Sequence, residues 1–393
     1  HLGHAGGRAM TLAIVDPLGD YNTDNSTSWV ANDAGAKCTY LPGAGEFWLL
    51  LETGTGPTAS GSNSTNSHFL RIDESTGDYI AMADDPAGQA GKLFLWGPIV
   101  ADDVNSLVIA AGSYVTTSGG TTIGGQCLIA WNYDGTVAWE TFWVTEPDAG
   151  PFTFNYVNNI VYNPTLGALY VQQNGNLNNR FCSLNLTTGA RTGKATFRAI
   201  GGSYRPVMDN AGDVWISVDS GGGTNDERRY TLTGTPSYTS IQTTTNTSGI
   251  AQRQAYDEIN DIAYWYITVA AELRYWNGSS VVGMSAGSVW SSSGGTGSTN
   301  YEQFASRTGY WAYTVTPSTA RDAYFADLGD LSVIKQVTDP ADTYSTEFAA
   351  NELKWQFSTS INRAWWRIKD TTWKFLVWTE DSTRRRVSVC VIT

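Results

Sequence analysis

Apolar and polar positions along this chain either alternate or form short apolar runs, and no stretch carries the spacing of a helix face. Seven times, an apolar residue meets an aromatic or a valine at the head of what reads as a strand. The pairs are Phe47-Trp48, Leu107-Val108, Leu169-Tyr170, Val214-Trp215, Tyr264-Trp265, Tyr310-Trp311 and Trp365-Trp366. Counted from the second member, the intervals are 60, 62, 45, 50, 46 and 55 residues. Turn-like segments form a second ladder: Glu74-Ser-Thr-Gly77, Tyr133-Asp-Gly135, Thr187-Thr-Gly189, Thr233-Gly234, Asn277-Gly278, Leu328-Gly329 and Glu380-Asp-Ser382. Asn-Gly and Asp-Gly favour hairpins because both central residues tolerate positive φ. Each turn starts 12 to 26 residues after its pair, so the two series keep phase and both count seven.

One repeat shows the internal order. Ile160 to Asn163 reads as an inner strand, Pro164-Thr-Leu-Gly167 as its turn, and Leu169 to Gln172 as the second strand. Phe181 to Leu184 is the third, and Lys194 to Phe197 the outer one. The same order fits Arg205 to Gln242. It also fits Trp355 to Ile392, where Trp355-Gln-Phe357 is read as inner, Trp365-Trp366 as second, Trp373 to Trp378 as third and Val387 to Ile392 as outer. Four-stranded units of this period are the mark of a propeller blade. The expected fold is all-β: a seven-bladed β-propeller of four-stranded antiparallel blades over residues 37–393, preceded by an N-terminal extension at 1–36. Within 1–36, Thr11 to Val15 reads as a strand. It either latches the ring or reaches out as an arm to a neighbouring subunit; because Val387 to Ile392 already supplies a last outer strand, the arm is preferred.

On the blade pattern alone, residues 37–393 resemble the β-propeller superfamily, most loosely its PQQ-like and WD-like rings. The Trp-Asp and Gly-His signatures of WD repeats are missing, and so are sialidase Asp-boxes. The resemblance therefore implies a fold and carries no catalytic residue across.

Composition supports the strands. Glycine is 41 of 393 residues, aromatics are 12%, and Ser plus Thr total 80. Large side chains fill the gaps between blades, so most of the 16 Trp and 20 Tyr are read as packing. A net charge of −13 argues against a nucleic-acid partner, because no basic stripe is present to neutralise phosphates. Arg384-Arg385-Arg386 is read as edge-strand charge. No apolar run reaches the roughly 18 residues of a membrane helix, so no membrane insertion is expected. The chain starts at His1 without Met and without a signal-peptide pattern; processing or numbering from inside a longer product accounts for such a start equally well. Cys38, Cys127, Cys182 and Cys390 are too few and too scattered for a disulfide framework. A Cys38–Cys390 bridge is geometrically conceivable in a closed ring, but small buried strand residues is the better reading.

Candidate chemistry is sparse. His1, His4 and His68 are the three histidines, which leaves little for a Ser-His-Asp arrangement. Asp20, Asn22 and Asp24 carry oxygens at positions 1, 3 and 5 of a calcium-like loop. The sixth position is not Gly, and Ala31 stands where a bidentate Glu belongs, so calcium is a weak expectation and no other cofactor is expected. Asp84-Asp85, Asp102-Asp103 and Asp257-Glu258 sit at turns, where Asp is favoured for local hydrogen bonding.

Binding is expected in the loops between second and third strands: Gly54 to Ser67, Tyr114 to Gly125, Gln173 to Asn179 and Asp219 to Glu227. All are rich in Gly, Ser, Thr and Asn, and in a propeller they open onto one face. The binding candidates there are Ser60, Asn63, Asn66, Thr117, Thr121, Asn174, Asn176, Asn178 and Asn225. The preferred function is a non-catalytic attachment subunit of an extracellular or virion-surface assembly, such as a phage tail. Its partners would be other protein subunits and, through the polar loops, surface glycans. The alternatives are a secreted glycosidase or lyase using Asp/Glu in the central pocket, and a propeller lectin. Unequal loop lengths argue against the equivalent sites of a lectin.

Overall fold

A computed structural model describes the chain at residues 12–17, 37–41, 43–53, 66–75, 79–84, 92–94, 99–102, 104–118, 121–143, 156–163, 167–174, 179–197, 206–221, 224–232, 237–245, 253–257, 261–267, 272–285, 303–305, 310–315, 322–327, 333–337, 365–369, 372–380 and 385–392. Every regular element among these is a strand. After β1 (Leu12–Pro17), sheet I holds β2 (Lys37–Leu41), β3 (Glu46–Thr53), β4 (Asn66–Asp73) and β5 (Tyr79–Met82). In sheet II, β6 (Lys92–Phe94) and β7 (Ile99–Asp102) both pair with β8 (Leu107–Ser118), which β9 (Thr121–Asn132) and β10 (Val137–Trp143) follow. Sheet III is β11 (Tyr156–Asn163), β12 (Ala168–Asn174), β13 (Asn179–Leu184) and β14 (Arg191–Phe197). Sheet IV is β15 (Val207–Met208), β16 (Val214–Gly221), β17 (Thr224–Thr231) and β18 (Ser237–Thr245). Sheet V is β19 (Arg253–Asp257), β20 (Ile262–Ile267), β21 (Glu272–Trp276) and β22 (Val281–Ser285). Sheet VI is β23 (Gln303–Ala305), β24 (Tyr310–Val315), β25 (Asp322–Asp327) and β26 (Val333–Val337). Sheet VII is β27 (Trp365–Lys369), β28 (Thr372–Glu380) and β29 (Arg385–Ile392), with β1 paired outside β29. All pairs are antiparallel.

The first strands of successive sheets flank one another: β2 beside β7, β7 beside β11, β11 beside β15, β15 beside β19, and β19 beside β23. The sheets therefore stack face to face, and a strand such as β8 is buried on both sides. Its Val108 and Ala110 pack toward Leu41, Trp48 and Phe69 of sheet I. Its Leu107, Ile109 and Ala111 pack with Trp139 toward Ile160 and Leu184 of sheet III. Burial on both faces is why these strands read as apolar runs rather than alternations. Trp48, Phe69 and Trp131 form a ladder across the I–II junction, with Phe69 edge-on to Trp131 at 5.0 Å. Full burial of each such side chain contributes about 2–3 kcal/mol.

Both turn series have a physical cause. In the five described turns that join first to second strands, the fourth residue past the first strand has positive φ: Gly45, Ser106, Gly167, Gly212 and Asp261. Asp102 and Asp209 accept backbone N–H groups within their own turns. In the turns from third to fourth strands, Asp73, Asp134, Asn185 and Asn277 each accept the N–H two residues on. These Asx turns relieve the backbone where the chain must reverse.

Two expectations change, the arm and the loops. The strand expected near Thr11 to Val15 is β1, but it pairs with β29 of its own chain, Leu12 opposite Ile392 and Ile14 opposite Cys390, instead of extending as an arm. The open edge of β29 offers backbone donors and acceptors that an apolar strand nearby satisfies. Trp365-Trp366 lies on β27, followed by β28 and β29 in the order read for this repeat; the inner strand read at Trp355-Gln-Phe357 falls outside the described residues. Tyr114 to Gly125 is not a loop: β8 and β9 run to Ser118 and from Thr121, so only Gly119 and Gly120 separate them. Likewise, β16 and β17 take up most of Asp219 to Glu227.

Candidate functional site

The antiparallel order puts the turns joining strands one to two and three to four at one end of each sheet. The hairpins joining strands two and three lie at the other. At the turn end, neighbouring sheets are tied together. Arg71 of β4 donates from Nε and Nη2 to both Glu46 carboxylate oxygens, at 2.8 Å each. It also donates to the Asp134 carbonyl of sheet II, and its guanidinium lies over the Trp48 ring. The hydrogen bond to Glu46 raises the Arg71 pKa, so the cation persists at any ordinary pH. Trp131 Nε1 donates to the Asp84 carbonyl at 2.8 Å, and Trp139 Nε1 to the Leu186 carbonyl at 2.7 Å. Tyr162 Oη donates to Asp102 across the II–III junction, and the Asn210 N–H to Asp261 across IV–V at 3.3 Å.

The buried carboxylates are spoken for. Glu46 holds Arg71 and accepts Trp48 Nε1 at 3.1 Å. Asp102, with no exposed surface, accepts two backbone N–H groups, Asn105 Nδ2 and Tyr162 Oη. Asp209 accepts Trp215 Nε1 and pairs with Arg229. Asp226 pairs with Arg228 at 2.7 Å and accepts the Ser240 and Thr243 hydroxyls. Glu227 is engaged as well. Burial pushes the Tyr230 phenol up despite its hydrogen bond from Arg228, and burial likewise pushes the Cys127 thiol up, which leaves both neutral and unreactive.

The opposite end bears the hairpins joining second and third strands, and the Asp226 network of sheet IV lies nearer to it than to the turns. Among the described residues, β8 and β9 run past their neighbours there: β6 reaches Val115 and β10 reaches Gln126, while the β8–β9 pairing continues to Ser118 opposite Thr121. Thr116 to Ser118 and Thr121 to Gly125 thus form a two-stranded ribbon, roughly 10–15 Å long at about 3.3 Å per residue. In sheet I the β3–β4 pairing likewise extends to Thr53 opposite Asn66, past the ends of β2 and β5.

The sequence candidates fall at this end. Thr117 and Thr121 are brought one register step apart on the ribbon, but on strands. Asn66 opens β4 opposite Thr53, Asn174 ends β12 opposite Tyr156, and Asn225 lies in β17 between Asp219 and Thr244. These three are also strand residues, in three different sheets. Ser60, Asn63, Asn176 and Asn178 lie outside the described residues, as do Asp20, Asn22 and Asp24. Sequence reasoning missed the carboxylate ties at the other end. One signal is an acidic residue at or just after the end of a first strand with a positive-φ position just beyond, as in Asp102/Ser106 and Asp209/Gly212.

Stacked antiparallel sheets, mostly four-stranded, define an all-β protein whose arrangement is consistent with a β-propeller. The chain is similar to prolyl oligopeptidase B from Galerina marginata bound to a 25mer macrocyclization substrate, with a TM-score of 0.51 and 9% identity over 95% of this chain and 48% of that one. It spans about half the length of that enzyme. It is also similar to the nidogen/laminin complex (TM-score 0.41, 12% identity, 68% and 89% covered) and to the periplasmic gluconolactonase of Pseudomonas aeruginosa (0.47, 13%, 77% and 84%). No protein-family model and no curated protein matches the chain. The first of these likenesses carries the fold alone, and none points to a virion or to carbohydrate.

Proposed function

We propose that the seven sheets form one seven-bladed ring, closed by β1 on β29, and that the protein is a non-catalytic binding and assembly module outside the cell. Its binding surface is the end that bears the polar hairpins of sheets I to IV, and its partner is another protein. One observation carries this reading: the described buried carboxylates are engaged, Asp102 across the II–III junction and Glu46, Asp209 and Asp226 within their own sheets, while the pairing of the Thr-, Ser- and Gly-rich ends of β8 and β9 continues past the described ends of β6 and β10. Small hydroxyl-bearing strands on a rigid scaffold suit docking of a protein surface. A catalytic carboxylate would instead need a free oxygen facing a pocket.

Hydrogen–deuterium exchange of the chain alone and in its native assembly tests the reading. Protection is expected in 53–66 and 116–125. Protection confined to the turn end, or none at the hairpins, would overturn it.

A further inference from the structure

An outer strand ends its sheet with unpaired N–H and C=O groups, which invite another strand, so folded proteins blunt such edges with charge, proline or a bulge. In this chain the blunting is systematic. Ile80 in β5, Ala138 in β10, Thr192 in β14, Ile241 in β18 and Ile334 in β26 are each skipped by the pairing, one bulged residue per outer strand. Charge is added in β10 (Glu140), β14 (Arg191 and Lys194) and β26 (Lys335). In sheet VII the outermost strand β1 carries Asp16, skipped by the pairing with β29, and Pro17.

β22 is the exception among the described outer strands. Its pairing with β21 is regular from Trp276–Val281 to Glu272–Ser285, with no bulge. Its residues, Val-Val-Gly-Met-Ser, include no charge and no proline. Its central residue, Gly283, is exposed and has no Cβ to hold an approaching backbone away. The exposed turn before it, Asn277 to Ser280, is uncharged, and the sequence carries no charged residue from 275 to 301.

We propose that β22 is a self-association edge, pairing antiparallel with β22 of a second copy about a two-fold axis at Gly283. Neutrality selects this occupant. A foreign strand would be recognised with complementary charge, whereas a two-fold pair sets each residue against its own kind, and any charge there repels itself. Two chains of net charge −13 also repel on approach, and a contact line free of carboxylates minimises that cost. Centred on Gly283, the pair sets Val282 against Met284 and Val281 against Ser285, and leaves no side chain at the axis. The inference goes beyond the binding role of the hairpins and does not depend on what they bind.

Sedimentation equilibrium of the full chain over about 1–100 μM tests it, with Gly283→Lys as the variant and Ser237→Lys on the bulged edge β18 as the control. The expected result is a dimer in the parent and in the control, with self-affinity lowered by roughly 100-fold in Gly283→Lys through paired, partly desolvated ammonium groups. Thermal midpoints measured alongside confirm that both variants fold. A monomeric parent, a dimer indifferent to Gly283→Lys, or equal disruption by Ser237→Lys would overturn the proposal. Failure of the hairpin reading would appear separately, in hydrogen exchange.

Discussion

Gly189 shows how single positions decide the packing. Its φ is +68°, and a Cβ added there would meet the Trp139 ring at 2.3 Å and Thr141 Oγ1 at 2.6 Å. The residue closes the turn after β13 and lies against the indole that ties sheet II to sheet III. Gly167 has a similar φ, +59°, but nothing within 4 Å of its would-be Cβ. The two separate backbone preference from crowding. Gly167→Ala is expected to cost about 1 kcal/mol, the left-handed penalty alone. Gly189→Ala is expected to cost about 2–4 kcal/mol, because overpacking against a fixed indole adds to it. Urea unfolding of both variants beside the parent measures the difference, and equal costs would show that Trp139 does not sit there.

At the scale of elements, the turns carry the pH dependence. The Asp134 carboxyl is held below the usual carboxylate range, first by the Thr136 hydroxyl and then by the Thr136 N–H, with Arg71 adding a smaller pull. A carboxyl lowered on folding contributes stability above its unfolded pKa and loses it as pH falls through the lower folded value. Asp134→Asn removes that titration while keeping an acceptor for the turn. The urea midpoint of the parent should therefore fall more steeply than that of Asp134→Asn between about pH 5 and pH 2. Parallel curves would assign the acid limb to other groups.

The strands themselves were legible to differing degrees. Phe47-Trp48, Leu107-Val108, Val214-Trp215 and Tyr264-Trp265 fell on second strands because large apolar pairs are needed where a strand is buried on both faces, and Leu169-Tyr170 and Tyr310-Trp311 fell on second strands too. The turn ladder held at Asp73, Asp134, Asn185 and Asn277 because Asx and Gly residues have few substitutes at a chain reversal; Thr233-Gly234, Leu328-Gly329 and Asp381-Ser382 fall outside the described residues. The β8–β9 ribbon was misread because Thr and Ser serve strands and loops alike; Gly119-Gly120 between two Thr-rich runs was the hairpin signal. β15, two residues long, is too short for any periodicity to betray. The Glu46–Arg71 pair was hidden because its partners, 25 residues apart, are set by sheet register; Asp226–Arg228, two residues apart on one strand, was legible from the strand's alternation and was passed over.

For the whole molecule, the central question is closure. A ring of sheets that stack through their first strands leaves its first and last sheets to be joined, and an N-terminal strand on the last sheet does so by linking opposite ends of the chain. An arm reaching into a neighbour would make the same strand pairing between two chains. Assembly through the hairpins and self-association through β22 both presuppose that each chain closes on itself. The register supplies a direct test, because Ile14 lies opposite the native Cys390. Antiparallel partners are about 4.5–5.5 Å apart at Cα, within the roughly 4.4–6.8 Å that a disulfide spans. Oxidation of Ile14→Cys, followed by peptide mapping and non-reducing electrophoresis, should give a bond between position 14 and Cys390 within one chain that runs as a monomer. A bond joining two chains, or no bond at all, would contradict closure by β1.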